Sequence, residues 1–421
     1  MTDKLMSIIA ESKAEQINFL EKLVSADSTN IEHGIRGNEI NAQNIVIEKL
    51  TELKCELDIF EPDNDKIKNY KEMNPGHYYE NRPNVVGVLK GSGAGRSLIL
   101  NGHIDTMPFD KTDEWITHPL SPKISDGKLY GRGSVDMKGG VAAYIMALSA
   151  IVKSGIQLRG DVIVQSVVDE EGGGNGTIAC CERGYKADAA IITEPTELEI
   201  MPAHMGWLFY KIRFYGKALH GAMKWKGVNA IDKAVAFIGR LHELERRLAV
   251  LKRHPLLPPP TINVGVIKGG MAGSVVPDSC LVDFGIHYLP TDSDDEGLGS
   301  IVDAEIRELI RRYVCSDEEV ERHPPDVELY QFGSAYDIGT EHSIIHVLEK
   351  HAHEQLGKKP VVRGCEYGSD ARLLTHYADT PTVLFGPGSI ARAHAINEYV
   401  ELDQYYKSIE ILAKTIVEWC G

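Results

Sequence analysis

The chain has 421 residues, with 45 Lys and Arg against 61 Asp and Glu, and a formal net charge of -16 at pH 7. This length exceeds one typical domain, and the negative charge argues against nucleic acid or an anionic membrane surface as a partner. Seven cysteines without a CxxC spacing predict no disulfide framework, and no segment resembles a signal peptide or a transmembrane helix, so we expect a cytoplasmic protein.

Predicted strands and helices alternate from the N-terminus to about residue 202, which indicates an α/β domain with a central mixed, largely parallel sheet. The pattern changes at Trp207, where a strand, a helix, two strands, a helix and a strand follow in order. This order predicts a two-layer α+β unit (βαββαβ) inserted into the first domain. The predicted bounds are 1–205 and 335–421 for the first domain and 206–334 for the insert.

The segment LILNGHIDT begins with an apolar run that predicts a buried strand. Because side chains alternate along a strand, His103 and Asp105 should lie on the same side of its carboxyl end. Asp105 can then orient the imidazole of His103, as metal-binding histidines usually require. An HxD triplet alone is most often an ordinary strand end, so this prediction depends on the segments that follow.

The glycine-rich segment GRGSVDMKGG, residues 131–140, precedes the apolar stretch VAAYIMALSAIV. This pattern predicts a loop that carries Asp136 into a helix. Asp136 either bridges two cations or caps the helix, since aspartate is a common cap. The segment lacks the GxGxxG spacing, which excludes a dinucleotide site.

Four further polar residues follow predicted strands. Glu170 and Glu171 end the strand DVIVQSVVD, and an extended backbone would point them in opposite directions. One can then bind a metal ion while the other transfers protons, although such a pair is also typical of a solvated edge. Glu194 follows the strand ADAAIIT. His394 follows the strand TVLFGPG and is either a ligand or a plain loop residue.

Together these segments hold two imidazoles and several carboxylates, with no nearby cysteine. This donor set suits a catalytic Zn²⁺, Mn²⁺ or Co²⁺ better than a structural zinc, which would be rich in cysteine. The sequence therefore predicts a site for two divalent metal ions, zinc first and cobalt or manganese as alternatives.

The five motifs and their order resemble the dinuclear zinc amidohydrolases that include acetylornithine deacetylase, succinyl-diaminopimelate desuccinylase, aminoacylase and glutamate carboxypeptidase. The resemblance spans nearly the whole chain. It implies a zinc-exopeptidase-like catalytic domain and an inserted lid domain through which two copies form a homodimer. It also implies a cis peptide bond after the bridging acid.

The resemblance implies a ligand set for two metal ions. His103 and Glu194 would hold one ion, Glu171 and His394 would hold the other, and Asp136 would bridge both.

It also implies three catalytic roles. Asp105 would orient His103, and Glu170 would be the general base. In the segment YGKALHGA, His220 would reach the active site of a neighbouring subunit and stabilise the oxyanion, although its sequence context alone indicates a surface loop.

Two positions depart from the family. Ser274 stands where an asparagine is usual, and His287 where an arginine is usual. That arginine would bind a substrate carboxylate through a bidentate fork, which a histidine cannot reproduce. We therefore expect a small N-acyl or N-formyl amine as substrate, with an acetylornithine-like compound as the alternative. Arg372 or Arg392 would supply a replacement cation, unless each is a structural ion-pair partner.

The expected activity is the hydrolysis of a linear amide bond. A hydroxide held between two metal ions would attack the carbonyl carbon, and Glu170 would pass its proton to the departing amine. A dipeptidase, carboxypeptidase or desuccinylase of the same family is the first alternative, which turnover of peptides would reveal. A non-catalytic binding relative is the second, and such relatives usually lack a ligand or the base.

Overall fold

The computed structural model describes residues 2–421, which divide into two compact units. The first unit runs to Pro202 and continues over Ile338–Arg363 and Ser369–Gly421. The second unit comprises Ala203–Asp337 and Gly364–Gly368. The insert that we predict at 206–334 lies inside the longer segment of the second unit, and the sequence gives no sign of the shorter one.

The helices, in chain order, are α1 Thr2–Glu11, α2 Lys13–Ser25, α3 Ile40–Glu52, α4 Asn64–Ile67, α5 Lys138–Ser154, α6 Asn175–Glu182, α7 Ala230–Leu251, α8 Ser300–Cys315, α9 Glu318–Arg322, α10 Ser343–Leu356, α11 Ala371–Tyr377 and α12 Leu402–Cys420. Short 3₁₀ helices lie at Thr112–Glu114, Gly221–Lys226, Pro290–Asp292 and Ile390–Arg392.

The strands are β1 Asn30–Ile31, β2 Arg36–Gly37, β3 Glu56–Phe60, β4 Asn84–Leu89, β5 Leu98–His103, β6 Lys123–Ser125, β7 Lys128–Tyr130, β8 Val162–Val167, β9 Ala189–Ile192, β10 Ala203–His204, β11 Gly206–Tyr215, β12 Leu219–His220, β13 Thr261–Gly269, β14 Val275–Val276, β15 Ser279–Tyr288, β16 Asp326–Gly333, β17 Tyr336–Asp337, β18 Thr382–Leu384 and β19 Tyr399–Glu401.

The first unit is built on a six-stranded sheet in the order β18-β9-β5-β8-β4-β3. The four strands β18, β9, β5 and β8 are parallel, whereas β4 and β3 pair in antiparallel fashion. Every residue of β5, β8 and β9 is buried, as expected of strands in the centre of a parallel sheet. The predicted α/β class with a mixed, largely parallel sheet is therefore confirmed.

Helix α5 lies in the core of this unit. Its residues from Lys138 to Ile151 are all buried, because the helix packs against β5 and against α1, α2 and α12. A helix with apolar residues around its whole circumference is typically buried in a protein core. The loop before α5 is thereby anchored next to the carboxyl end of β5.

The second unit is a four-stranded antiparallel sheet in the order β13-β15-β11-β16. Along β11, buried side chains alternate with more exposed ones, so one face of the sheet packs on helices. The core on that face joins residues of β11 and β15 to residues of α7 and α8, among them Phe214, Phe237, Phe284 and Ile306. The predicted βαββαβ order is confirmed.

Among the described residues, no helix combines the length and the apolarity that crossing a membrane requires.

Candidate active site

Several predicted site residues lie where neighbouring strands of the first unit end. His103 is the last residue of β5, Glu170 and Glu171 follow β8, and Glu194 follows β9. Because β8, β5 and β9 are adjacent and parallel, their carboxyl ends meet at one edge of the sheet. Open α/β sheets bind their ligands at such an edge.

The carboxylate of Asp136 lies between two histidines. Its Oδ1 is 3.1 Å from His103 Nε2, and its Oδ2 is 3.2 Å from His394 Nε2. His394 Nε2 is also 3.0 Å from Glu171 Oε1, and His103 Nε2 is 3.9 Å from Glu194 Oε1. The structure thus brings together all five side chains predicted to bind metal.

These five residues form two sets that share Asp136. One set holds His103 and Glu194, and the other holds His394 and Glu171. Ligand atoms of His103, Asp136 and Glu171 all lie within 4.8 Å of one another, a spacing that a metal ion can span. The peptide bond between Asp136 and Met137 is cis, as the family resemblance implies.

Asp105 contacts the His103 ring mainly through its backbone and less closely through its carboxylate. His103 Nδ1 lies 2.9 Å from the backbone oxygen of Asp105 and 3.7 Å from its carboxylate. The carboxylate instead accepts hydrogen bonds from the Asn30 side chain at 3.1 Å and from the backbone N–H groups of Glu170 and Glu171 at 3.2 Å each. The alternation of side chains applies only within a strand. Because β5 ends at His103, the Asp105 side chain need not face the same side as the His103 ring.

Glu170 and Glu171 have different surroundings although they are adjacent. The Glu171 carboxylate meets His394, whereas no hydrogen bond joins the Glu170 carboxylate to any residue between 2 and 421. Burial raises the pKa of Glu170 well above its usual range, and burial raises that of Glu171 as well. Glu170 and Glu171, which the sequence could not tell apart, therefore differ in their hydrogen-bond contacts.

The turn that carries these two acids rests on a buried network that the sequence did not indicate. Asp169 precedes Glu170, and its Oδ2 lies 2.8 Å from His77 Nδ1 and accepts a hydrogen bond from the Tyr79 hydroxyl at 2.6 Å. The Tyr79 hydroxyl also accepts a hydrogen bond from Asn175 at 2.7 Å. The partners come from distant parts of the chain, and no spacing motif connects them.

The charges at this edge indicate a cation site. Hydrogen bonds to Asp136 and Glu171 raise the pKa of His394 to about 10, and burial raises the pKa of Glu194 to about 8. Burial alone would lower the pKa of His103, but the hydrogen bond with Asp136 and the negative charges of Glu194, Asp105 and Glu170 together outweigh burial, and the pKa rises well above its usual value. A metal ion bound among these groups would displace their protons, because imidazoles and carboxylates bind metals in their deprotonated forms.

His220 and Ser274 lie in the second unit. His220 is exposed and ends β12, and its Nδ1 accepts a hydrogen bond from the backbone N–H of Ala222 at 3.2 Å. Ser274 is exposed at the start of the paired strand β14, and its backbone oxygen accepts a hydrogen bond from Gly221 at 2.6 Å. The two residues are therefore neighbours on one loop pair.

His287 lies on β15, half-buried, on the face of the sheet that α7 and α8 do not cover. Its ring meets the ring of Phe209 edge to face, with centroids 6.1 Å apart, and Phe209 stacks on Tyr330 at 6.2 Å. Burial lowers the pKa of His287. A neutral imidazole among aromatic rings offers no fixed positive charge to a carboxylate.

Of the two arginines predicted as replacement cations, Arg372 is used elsewhere. It is 3% exposed, its Nε donates to Glu72 at 2.8 Å, and its other nitrogens donate to backbone oxygens of Ser369 and Gly173. Arg372 is thus a structural ion-pair partner of Glu72, one of the two roles that the sequence left open, and not a replacement cation for the substrate. Arg392 is exposed in the turn before His394.

Comparison with known proteins agrees with this site. Residues 99–418 match the family described as Peptidase family M20/M25/M40. The N-formyl-4-amino-5-aminomethyl-2-methylpyrimidine deformylase of Halalkalibacterium halodurans is 32% identical over 440 residues, which cover 99% of this chain and 97% of that protein. The acetylornithine deacetylase of Proteus mirabilis is 32% identical over 356 residues, which cover 83% and 86%.

Among solved structures, a Bacillus subtilis protein described as a dinuclear metal-binding peptidase of family M20 has the same fold. The TM-score is 0.64 at 14% identity, over 97% of this chain and 98% of that one. The family match covers well over half of the sequence, and both curated relatives cover most of it. The chain therefore belongs to peptidase family M20/M25/M40, whose members are hydrolases that act on amide bonds.

Proposed function

We propose that this chain is a metal-dependent deacylase that removes a formyl or another small acyl group from an amine. One observation carries the proposal. Each oxygen of the Asp136 carboxylate meets a different histidine, His103 on one side and His394 on the other. A carboxylate needs such a position to bridge two cations, and paired cations are a common device for hydrolysis.

The residues fit two divalent ions. One ion would take His103 and Glu194, the other would take His394 and Glu171, and Asp136 would bridge them. The donors are nitrogen and oxygen only, which favours zinc and leaves cobalt or manganese as alternatives. When bound there, the ions would lower the pKa of a water molecule and polarise the amide oxygen.

Glu170 would transfer the protons. Its carboxylate lies beside the ligand set, and burial raises its pKa, which brings a carboxylate closer to the range where it both takes and returns a proton. It would accept a proton from the attacking water and deliver it to the departing nitrogen. The products would be a carboxylic acid and a free amine.

Metal binding to the chelated protein should release protons. With pKa values of about 10 for His394 and about 8 for Glu194, both groups hold a proton at pH 7 in the metal-free protein. Both must lose it to bind a metal ion, so the apparent affinity should rise with pH, steeply up to about pH 8 and less steeply up to about pH 10, where the competition with protons ends. Calorimetry in buffers of different ionisation enthalpy measures the release. A binding heat that is the same in every buffer would contradict it.

The substrate would be an N-acyl or N-formyl amine without an α-carboxylate. His287, half-buried and with a lowered pKa, replaces the arginine fork that would hold such a group. A relative that covers 99% of this chain is named as a deformylase of an aminopyrimidine formamide, which supports a formyl or similarly small acyl group. An acetylornithine-like substrate is the alternative, and Arg392 would then serve as its cation.

His287→Arg should shift the preference toward N-acyl-α-amino acids. A charge-assisted hydrogen bond contributes about 1.5 to 3 kcal/mol, which corresponds to roughly ten-fold or more in relative kcat/KM. The measurement compares kcat/KM for N-acetyl and N-formyl amines with and without an α-carboxylate. His323→Arg, a change in the same unit after α9, is the control for added charge. A wild-type preference for N-acetylornithine over carboxylate-free amines would contradict the expectation.

The second unit would join two copies of the chain. Strand β13 is an edge of its sheet and spans nine residues, and Val266 and Ile267 on it are exposed. An exposed apolar edge strand is a template for pairing with another chain, and a symmetric dimer would use the same edge from both copies. His220 would then stabilise the oxyanion in the partner's active site.

Ile267→Lys should convert the dimer to a monomer and lower turnover, because His220 could no longer act between subunits. Light scattering with size-exclusion chromatography and an activity assay on the same fraction test this. Val361→Lys is a matched control, since both side chains are 50% exposed and Val361 lies in the first unit. A wild-type chain that is monomeric and fully active would show that His220 does not act in trans.

The alternative function within the family is that of a peptidase or a desuccinylase. The discriminating assay offers dipeptides, N-succinyl amines, N-acetyl amines and N-formyl amines to the same metal-loaded enzyme. We expect the fastest turnover with the N-formyl or N-acetyl amines. No turnover of any amide by a chain that holds two metal ions would indicate a binding protein.

A further inference from the structure

We propose that the buried ion pair of Glu398 and Arg132 is a positioning device that holds one half of the metal site in place. The inference rests on the proposed function, since it concerns the ion that Asp136, Glu171 and His394 would share. Neither residue would touch the metal ions or the substrate. Both act through the backbone of residues that do.

Glu398 holds the turn that carries Asp136. Its side chain is 1% exposed, and its Oε1 accepts hydrogen bonds from the backbone N–H groups of Val135 at 3.0 Å and of Asp136 at 3.2 Å. Its backbone oxygen accepts another from Gly131 at 3.0 Å. The glycine-rich turn is thus attached to Glu398 at both of its ends.

Arg132 extends this attachment to the loop that carries His394. Its Nη1 donates to Glu398 Oε2 at 2.7 Å, while its Nη2 donates to the backbone oxygens of Pro108 at 3.2 Å and of His394 at 3.5 Å. The guanidinium is 4% exposed and lies over the ring of Trp115, with 5.3 Å to the centroid. One planar fork therefore joins the two loops, a geometry that arginine provides and lysine does not.

Loss of the ion pair should weaken the binding of one metal ion more than that of the other. His103 ends β5 and Glu194 follows β9, so the sheet itself holds those two ligands. His394 lies outside any helix or strand, and its backbone oxygen meets the pair directly. We therefore expect the pair to matter most for the ion bound by His394 and Glu171.

The variant Glu398→Gln tests this, because the amide keeps the size of the side chain and removes its charge. Groups that support metal ligands typically change metal affinity about 10- to 100-fold when altered. We expect one equivalent of Zn²⁺ to bind as in the wild type and the second to bind about 10- to 100-fold more weakly. Calorimetric titration of the chelated protein with Zn²⁺ measures both. Excess Zn²⁺ should restore turnover, which it would not do if Glu398 took part in the chemistry.

Asp292→Asn is the control for a buried carboxylate that loses its ion pair. Asp292 is buried in the second unit and pairs with Lys252. Both variants should melt at a lower temperature than the wild type, and only Glu398→Gln should lose affinity for the second ion. Equal affinities in Glu398→Gln and the wild type would overturn the inference.

Arg132→Lys provides a second variant, since it keeps the positive charge and removes the fork. It should show the same unequal loss of metal affinity, and unchanged binding would again overturn the inference. Failure of both variants to fold would also overturn the inference, because the ion pair would then be required for folding and not specifically for metal binding. A wild-type chain that does not bind two ions would instead contradict the proposed function.

Discussion

Replacement of Glu170 by glutamine is expected to lower turnover by about 10²- to 10⁴-fold, the usual contribution of a general acid or base. Glutamine keeps the shape of the side chain and cannot accept and return a proton. Both metal ions should remain bound, because Glu171 is the neighbour that meets His394. Steady-state kinetics and metal analysis on the same preparation measure the two effects.

Glu80→Gln is the control for this change, since Glu80 is exposed and carries the same substitution. It should keep the turnover of the wild type. Loss of a metal ion together with activity in Glu170→Gln would make Glu170 a ligand. Wild-type turnover in that variant would remove Glu170 from the mechanism.

Replacement of Asp136 by asparagine should have a still larger effect. An asparagine side chain offers one oxygen and one NH₂ group, and the NH₂ group cannot bind a cation. The side that faces His394 or the side that faces His103 would therefore lose its bridge. We expect at most one metal ion per chain and turnover no higher than that of the chelated wild type.

Asp126→Asn is a matched control, because Asp126 is an exposed residue in the hairpin between β6 and β7. Asparagine also tolerates its left-handed backbone conformation, at φ 51°. It should change neither the metal content nor the turnover. Two bound ions and full activity in Asp136→Asn would show that this carboxylate is not the bridge.

Local sequence predicted where some of the site residues lie along the chain. Apolar runs predicted β5, β8 and β9 and placed His103, Glu171 and Glu194 at or just after strand ends. The order of these parallel strands in the sheet, which the structure supplies, brings the three residues to one edge. The family motifs added Asp136 and His394. The alternation of side chains along a strand did not separate Glu170 from Glu171. It predicts which side of the strand a residue faces and not which residues it contacts there.

Contacts between distant parts of the chain could not be predicted. Arg372 meets Glu72 across 300 positions, Arg132 meets Glu398 across 266, and the network under the acidic turn joins His77 to Asp169 across 92. No periodicity marks such partners. Arg132 does lie inside the glycine-rich segment 131–140, so its charge was visible although its pairing with Glu398 was not.

The role of Asp105 shows a different limit. The two-residue alternation of a strand predicted that its carboxylate would face the His103 ring, but β5 ends at His103. After the end of a strand the backbone changes direction, so a backbone carbonyl can contact the ring in place of the side chain. The backbone oxygen of Asp105 does so here, and its carboxylate binds the turn of Glu170 and Glu171.

The proposed two-metal hydrolysis can be tested by adding metal back to the chelated enzyme while hydrolysis of dipeptides and of N-formyl, N-acetyl and N-succinyl amines is followed. We expect no turnover without metal, and full turnover once two equivalents of Zn²⁺, Co²⁺ or Mn²⁺ are present per chain. We also expect the highest kcat/KM for an N-formyl or N-acetyl amine that lacks an α-carboxylate. Undiminished hydrolysis by the chelated protein, or turnover of peptides alone, would contradict the proposed function.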